Sequence, residues 1–225
     1  MHKRGYKVAT NIAPINEVLA AGLVMLSGWD GQSDFMDPMC GSGTVLIEAA
    51  MIACNIPPNL MRNEFGFERW EDWDVDLFEK IEESLLSKTR DFHHKIMGFD
   101  KSPSAVEKAI LNVENSKLED FIYIKHEDFF KTQKGGEEHL HMVFNPPYGE
   151  RLDIEMESFY GAIGSTLKHK YPGTNGRTHG ERNETTPAIK ANGKAVTRNP
   201  ENICSTKNSF IPLTPFQSTR TVKRQ

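Results

Sequence analysis

Short apolar segments of strand character alternate with helical patterns between residues 33 and 171, and this alternation constrains the fold more than any other feature of the sequence. The predicted strands are 33–37, 95–100, 121–129 and 140–145, and the predicted helices are 14–27, 44–54, 75–92, 102–116 and 155–171. Strands separated by helices form βαβ units, whose right-handed crossovers produce a parallel sheet. We therefore predict an α/β fold with a mostly parallel sheet.

Two of the predicted helices also carry an expected core face. In 14–27, Pro14 suits the first turn, and Val18, Leu19, Leu23 and Leu26 recur at helical spacing. In 102–116, Ser102 suits the N-cap, and the predicted apolar face consists of Ala105, Val106, Ala109, Ile110 and Val113.

Polar residues stand at the carboxyl ends of the four predicted strands. They are Asp37, Asp100, Asp128 and Asn145. Ligands bind beyond the carboxyl ends of the strands in sheets of this kind. The four residues are therefore expected to converge on one site.

The loop 37–44, Asp-Pro-Met-Cys-Gly-Ser-Gly-Thr, connects the first strand to a helix. Gly41 and Gly43 permit positive φ and a close approach of the backbone to a ligand, and the helix N-terminus attracts an anion such as a carboxylate. The lysine of a P-loop is missing, and Leu46 stands where the dinucleotide fingerprint requires its third glycine. The loop is thus interpreted as a carboxylate site, with a plain tight turn as the alternative.

Asp100 and Asp128 extend this site to a nucleoside. An acid at the end of the second strand can accept the two ribose hydroxyls, and Asp128 can accept an adenine amino group beside the apolar wall of Phe129. The alternatives are a helix-capping acid and a surface turn. Together the three loops describe a pocket for a nucleoside that bears a carboxylate and no pyrophosphate, and S-adenosylmethionine fits that description.

The segment 143–149, Val-Phe-Asn-Pro-Pro-Tyr-Gly, ends the fourth strand on two prolines. Asn145 offers a side-chain carbonyl as an acceptor, and the fixed φ of proline keeps the loop stiff. Two acceptors at about 3 Å can hold a planar amino group, while Tyr148 can stack on a ring. We interpret Asn145, Pro146, Pro147 and Tyr148 as a clamp for the exocyclic amine of a planar base.

These motifs carry a resemblance to a known family. Residues 1–172 resemble class I S-adenosylmethionine-dependent methyltransferases of the amino-group type, which have a Rossmann-like fold and a (D/N)PP(Y/F) loop. The segments HKRGYK, APINEVLAA, DPMCGSGTVLIEAA and NPPYGERL resemble the RNA methylase family that includes the bacterial 23S rRNA guanine-N2-methyltransferases.

The resemblance implies roles by position. Asp37, Met39, Gly41 and Gly43 would hold the methionine part of the cofactor, Asp100 its ribose, and Asp128 with Phe129 its adenine. Asn145, Pro146, Pro147 and Tyr148 would hold the target base, with Asn145 also near the cofactor. The segment 10–16 matches one that approaches the cofactor from the N-terminal side.

The implied function is methyl transfer to an exocyclic amine of a nucleic-acid base, with guanine N2 in large-subunit rRNA as the first expectation and 23S rRNA as the partner. Adenine-N6 methylation of DNA or RNA and protein-glutamine methylation remain alternatives, because each target is a planar amine or amide. A truncated remnant that binds cofactor or RNA without turnover is the non-catalytic alternative.

The chain departs from the family at both ends. The THUMP RNA-binding domain is absent, and the fifth strand and final hairpin are expected to be missing after about residue 175, so the sheet is expected to be incomplete. We divide the chain into a linker and helix (1–32), a methyltransferase domain (33–172) and a tail (173–225) that is predicted to be disordered. The tail has 9 basic and 3 acidic residues, whereas the whole chain has a net charge of −4.

Other features bound the compartment and exclude some sites. Cys40, Cys54 and Cys204 form neither a disulfide framework nor a zinc pattern, and no apolar run is long enough to span a membrane. The histidines at 93–94, 139 and 141 lack partners at ligand spacing, so no metal is expected. A cytoplasmic location is predicted.

Overall fold

The computed structural model describes residues 3–10, 14–136, 139–147 and 156–178. Its helices are α1 (Glu17–Ser27), α2 (Thr44–Ala53), α3 (Val75–Leu86), α4 (Pro103–Ser116) and α5 (Met156–Lys170), and its strands are β1 (Asp34–Asp37), β2 (Ile96–Asp100), β3 (Ile122–His126), β4 (Leu140–Phe144) and β5 (Asn175–Thr178).

The five strands form one sheet in the order β3-β2-β1-β4-β5, and every neighbouring pair is parallel. The chain moves outward from β1 to β3, then returns to the other side of β1 for β4. This reversal is the switch point at which open α/β sheets bind ligands. The predicted α/β, Rossmann-like class I methyltransferase fold with a parallel sheet is confirmed.

A fifth strand is present, contrary to the sequence-based expectation. β5 pairs with β4 through the register Met142 to Gly176 and Phe144 to Thr178. Its sequence, Asn-Gly-Arg-Thr, has no apolar alternation, which is why the pattern did not reveal it. Pairing with β5 provides hydrogen-bond partners for the backbone groups along the edge of β4. This tertiary contact outweighs the weak strand propensity of Asn-Gly-Arg-Thr. The rest of the predicted tail, from residue 179, lies outside the described residues.

The sheet is covered on both faces because successive side chains along each strand point to opposite sides. Phe35 and Val143 belong to a cluster that includes apolar residues of α1, α2 and α4. Their neighbours Met36 and Met142 belong to a second cluster, which includes Phe159 and Ile163 of α5. The result is a three-layer domain whose sheet is buried between helices.

Helix α1 presents a different face to the core from the one predicted. It begins at Glu17, because the Asn16 side chain accepts hydrogen bonds from the N–H groups of Val18 and Leu19 as an N-cap. The predicted face is wrong for Val18, Leu19 and Leu26, which are exposed. The buried residues are Glu17, Ala20, Val24 and Ser27, whose small members let α1 pack closely on α2.

Residues 4–6 are fixed to α2 by a buried polar cluster. Glu48 is 1% exposed, and its carboxylate accepts hydrogen bonds from the Arg4 guanidinium at 3.3 Å and from the Tyr6 hydroxyl at 2.9 Å. Burial raises the pKa of Glu48, while the nearby Arg4 charge opposes that shift. The segment that precedes the sheet is therefore part of the folded domain.

Helix α3 ends at Leu86, six residues before the predicted end, and none of its residues is buried. An aromatic cluster holds the preceding segment against it: the Phe67 ring lies 5.1 Å from the Trp73 ring and 6.0 Å from the Phe78 ring. Trp70 stays exposed. The aromatic contacts therefore join the segment before α3 to that helix.

Candidate functional site

The register of the sheet brings the predicted site residues to one edge. Asp37 lies opposite Gly98, and Asp100 lies opposite His126. Asp128 follows the end of β3 by two residues, and Asn145 directly follows β4. Because parallel strands end on the same side, the backbones of all four predicted residues meet at the carboxyl edge of the sheet.

The loop between β1 and α2 is held tightly to the end of β2. Gly41 and Gly43 have φ values of 55° and 79°, a region in which side chains with a Cβ are strained. The Cys40 N–H donates to the Phe99 carbonyl at 2.9 Å, and the Gly41 N–H donates to the Asp100 carboxylate at 3.0 Å. The loop is therefore preformed.

Gly43 lies close to α4, since a Cβ at this position would make an ordinary van der Waals contact at 3.4 Å with Cβ of Ala109. Gly98 in β2 is more restrictive, since an added Cβ would lie 2.3 Å from the Leu46 side chain. Glycines thus allow α2 and its loop to pack closely on the sheet and on α4.

Asp37 is buried at the end of β1, and its carboxylate accepts a hydrogen bond from the Met39 N–H at 3.1 Å. Burial raises the pKa of Asp37 to about 8; the Met39 hydrogen bond lowers the pKa, and the Asp100 charge raises it further. A cationic group placed nearby would favour the ionised carboxylate. Met39 is partly buried against the second core cluster.

Asp100 uses both carboxylate oxygens within the fold. One accepts from the Gly41 N–H, and the other accepts from the Ser102 N–H at 2.9 Å. Each oxygen keeps a further lone pair that could accept a hydrogen bond from a hydroxyl group. Asp100 therefore connects the glycine loop to the start of α4.

Asp128 and Phe129 occupy different environments. The Asp128 carboxylate caps the short turn 129–131 by accepting from the Phe130 N–H at 3.1 Å, and it stays partly exposed. The Phe129 ring is buried and packs 5.8 Å from the Phe144 ring and 5.6 Å from the Tyr171 ring. Its ring thus supports the end of β4, and its predicted role as an adenine wall stays a prediction.

Asn145 carries an unpaired acceptor at the end of β4. Its side-chain oxygen is buried and accepts no hydrogen bond from the described residues. Pro146 beside it is buried, and Pro147 is exposed. A buried polar atom without a partner is costly unless a ligand or water supplies one. Tyr148 and residues 11–13 of the predicted segment 10–16 lie outside the described residues.

Two polar residues were not singled out as part of the site. The fully buried Asn112 on α4 donates to the Ser42 carbonyl in the glycine loop at 2.9 Å, and Glu48 anchors the N-terminal segment. Glu48 had a signal, since it is the acid within the otherwise apolar segment 44–54. No feature of the sequence pointed to Asn112. Asn112 is buried on the core face of α4, whereas Ile110, which was expected on that face, is exposed.

Among the residues that the structure describes, no group of three or more His, Cys, Asp and Glu residues is arranged to hold a metal ion. Within the same residues, no helix combines the length and apolar character needed to cross a membrane.

The comparisons agree with this geometry. "Ribosomal RNA large subunit methyltransferase K/L" of Vibrio campbellii is 39% identical over 180 residues, which cover 77% of this chain and 26% of that protein. The solved structure of methyltransferase SMU.472 in complex with SAH is 35% identical, with a TM-score of 0.70, over 77% of this chain and 45% of that one.

A second solved structure, titled a predicted N6-adenine-specific DNA methylase from Listeria monocytogenes, is 36% identical, with a TM-score of 0.70, over 77% of this chain and 46% of that one. The chain thus spans about a quarter of the length of the curated relative and just under half of the two solved chains. The family described as "RMKL-like, methyltransferase domain" matches residues 4–199. Since this match covers most of the chain and the sheet is parallel as expected, the protein belongs to the RMKL-like methyltransferase domain family.

Proposed function

We propose that this chain is an S-adenosylmethionine-dependent methyltransferase domain that modifies an exocyclic amine of a nucleic-acid base. The observation that carries the proposal is the buried Asn145 oxygen, which has no hydrogen-bond partner among the described residues and which follows the strand next to β1 and its glycine loop. An acceptor at that place suits an amino group that must be held still beside a cofactor.

The residues at the strand ends fit the cofactor. Gly41 and Gly43 adopt positive φ and leave room for close backbone approach. Asp37 supplies a buried carboxylate for a cationic amino group, and Asp100 keeps lone pairs for ribose hydroxyls. Asp128 is partly exposed and can accept from the adenine amino group. Met39 and Phe129 complete the proposed set, Met39 beside the methionine part and Phe129 beside the adenine.

The chain's own contribution to the reaction is position. Bound S-adenosylmethionine supplies a methyl group on a positively charged sulfur. The Asn145 side-chain oxygen and the Pro146 carbonyl would accept the two N–H groups of the target amine and turn its lone pair toward that carbon. Asp37, Gly41, Gly43 and Asp100 would hold this cofactor so that its methyl carbon could pass from the sulfur, which would keep the electron pair of the broken bond, to the amine nitrogen. The amine proton would then leave to solvent.

Pro147 and Tyr148 would complete the base site. Proline fixes the backbone next to the acceptors, and a tyrosine ring can stack on the base, a contact that contributes about 1–3 kcal/mol in single-strand binders. A paired base would first have to leave its helix.

Guanine N2 in large-subunit rRNA is the favoured target, with 23S rRNA as the partner. The name of the Vibrio campbellii relative, which is a large-subunit rRNA methyltransferase, supports it. Adenine N6 is the second candidate, because the Listeria monocytogenes structure carries that description. An exocyclic amine on either base meets the same two acceptors, so the clamp does not separate them.

The proposed location is the cytoplasm, where rRNA is available and the free thiols of Cys40 and Cys54 stay reduced.

The domain boundaries after residues 32 and 172 are proposed with one refinement. Since β5 pairs with β4, the methyltransferase domain includes at least residue 178.

The test is methyl transfer from tritiated S-adenosylmethionine to rRNA, DNA and protein, followed by mass spectrometry of the nucleosides. We expect N2-methylguanosine in rRNA; N6-methyladenosine would assign the second target. Asn145→Ala should lower kcat about 100-fold because the amine loses its orientation, whereas Asn145→Asp keeps an acceptor and should recover part of the rate.

Asn59→Ala, an exposed asparagine away from the strand ends, is the matched control and should keep wild-type kcat. Labelled protein without labelled nucleic acid would contradict the proposed substrate class. Absence of cofactor binding by the folded wild-type chain would overturn the proposed activity.

A further inference from the structure

Asn112 has every polar atom of its side chain in use inside the protein. Its oxygen accepts from the N–H groups of Val8 and Ala9 at 2.8 and 3.0 Å. Its amide nitrogen donates to the carbonyls of Ala9 and Ser42 at 2.8 and 2.9 Å. An asparagine side chain offers two donor hydrogens and an acceptor oxygen with two lone pairs, so all four capacities are used in a fully buried position.

These four bonds join three parts of the chain that lie far apart in sequence. Asn112 lies on α4, Val8 and Ala9 lie in the segment before α1, and Ser42 lies between the two left-handed glycines of the β1–α2 loop. The same loop donates its Gly41 N–H to Asp100. A displacement of the segment 8–9 is therefore transmitted, through one side chain, to the backbone of the loop.

The segment has its own anchors on either side of this contact. Arg4 and Tyr6 bind Glu48, and the Asn115 amide donates to the Tyr6 carbonyl at 2.8 Å. Before Val8, the Lys7 ammonium donates to the Ile15 carbonyl at 3.0 Å. The segment is thus held by α2, by α4 and by Ile15 before α1, while Asn112 links it to the glycine loop through the Ser42 carbonyl.

We propose that Asn112 is a positioning residue through which the N-terminal segment sets the shape of the glycine loop, and with it the affinity for the cofactor. This inference rests on the proposed function, because the loop is the proposed site of the methionine part. Loss of the bond to Ser42 leaves a buried carbonyl unpaired, and the loop then adjusts at the neighbouring glycines, whose backbones are the least restricted.

The matched pair of variants is Asn112→Asp and Asn115→Asp. Both remove an amide that holds the same segment from the same helix, but Asn115 bonds to Tyr6 and Gly5 and not to the loop. Asn112→Ala is the second variant, used where a buried carboxylate prevents folding; alanine preserves the helix and lets water reach the freed carbonyls. Thermal melts establish that each variant is folded at the assay temperature.

Two measurements decide the matter. Calorimetry with S-adenosylhomocysteine should show at least tenfold weaker binding for the Asn112 variants and a change of less than twofold for Asn115→Asp. In the protein without ligand, hydrogen exchange at the Gly41 and Gly43 amides should be at least tenfold faster in the Asn112 variants and unchanged in Asn115→Asp. A purely structural role would lower the melting temperature and leave the affinity of the folded protein unaltered.

The outcomes separate this inference from the proposed function. Wild-type protein that binds, together with folded Asn112 variants that bind equally well, would overturn the inference alone. Equal weakening in the Asn112 and Asn115 variants would also overturn it, because the effect would then come from the segment as a whole. Wild-type protein that does not bind would overturn the proposed function, and the exchange rates would still decide whether Asn112 holds the loop.

Discussion

The Gly41 backbone N–H and the Asp100 carboxylate lie 3.0 Å apart although 59 residues separate them in the sequence. This bond fixes the glycine loop of β1 to the end of β2, the two places at which the methionine part and the ribose are proposed to bind. Asp100 therefore holds the loop in place, and its proposed role is to bind the ribose as well.

Asp100→Ala should weaken S-adenosylmethionine binding about 100-fold or more, because the ribose loses its acceptor and the loop loses its partner. A charge-assisted hydrogen bond alone contributes roughly 1.5–3 kcal/mol. Calorimetry on the purified chain measures the change. Asp120→Ala, at an exposed position, is the control and should bind like the wild type; equal affinities in all three proteins would remove Asp100 from the site.

Gly43→Ala should destabilise the domain by about 1–2 kcal/mol, because alanine is strained at φ 79°. The comparison is Gly161→Ala in α5, where nothing lies within 4 Å of the new Cβ and helix propensity predicts a gain of up to about 1 kcal/mol. Urea denaturation of both variants measures the change in the free energy of unfolding, which should be a loss for Gly43→Ala and a gain for Gly161→Ala. A neutral Gly43→Ala would show that the loop can rearrange freely.

The stability of the ligand-free protein should fall as the pH rises between about 4 and 8, because of Asp37. Its pKa is raised to about 8 in the fold from an ordinary 3.8, so the folded state binds more protons than the unfolded state across that window. The stabilisation that the raised pKa of Asp37 gives the folded state is fully present below about pH 4 and is lost by about pH 8.

Denaturation at several pH values tests whether the free energy of unfolding falls as the pH rises. Between pH 5 and 7 the wild type should lose about 2.5 kcal/mol relative to Asp37→Asn, since each pH unit in this window corresponds to nearly 1.36 kcal/mol. Parallel stability curves for the two proteins would show that the fold does not raise the pKa of the Asp37 carboxyl.

Arg4→Met should destabilise the domain by about 3 kcal/mol, because it leaves the buried Glu48 carboxylate without its cation. Lys3→Met is the control at an exposed neighbouring position and should be neutral. The double variant Arg4→Met/Glu48→Leu removes both charges and should recover most of the loss. Guanidinium denaturation measures all three, and a double variant as unstable as Arg4→Met alone would contradict the pairing.

Local patterns predict much of this fold, and the reasons are visible in particular residues. The ends of β1, β2 and β4 were predicted within one residue because apolar runs stop there on Asp37, Asp100 and Asn145. Those same endings pointed to the edge of the sheet where the site lies. What these residues bind remains a prediction, because the fold determines where they lie and not which ligand they meet.

The missed features depend on long-range contacts. The core face of α1 was mispredicted because its apolar residues lie on several sides and packing against α2 selects the one with Ala20 and Val24. β5 forms through backbone pairing with β4 and needs no apolar pattern of its own. Asn112 looks like an ordinary helix residue until Val8, 104 positions earlier, is placed against it.

The distance between Val8 and Asn112 has a consequence for how the chain is made. During synthesis, residues 5–9 leave the ribosome long before Asn112 and Asn115, which bind them in the finished domain. At about 5–20 residues per second, the interval is roughly 5–20 seconds. Throughout that time Tyr6 can already reach Glu48 of α2, but Val8 and Ala9 lack their partner Asn112, and the edge of β1 that pairs with β4 stays unpaired. Nascent chains paused before residue 112 should therefore be open to protease at residues 8–9, and that sensitivity should disappear once α4 has emerged.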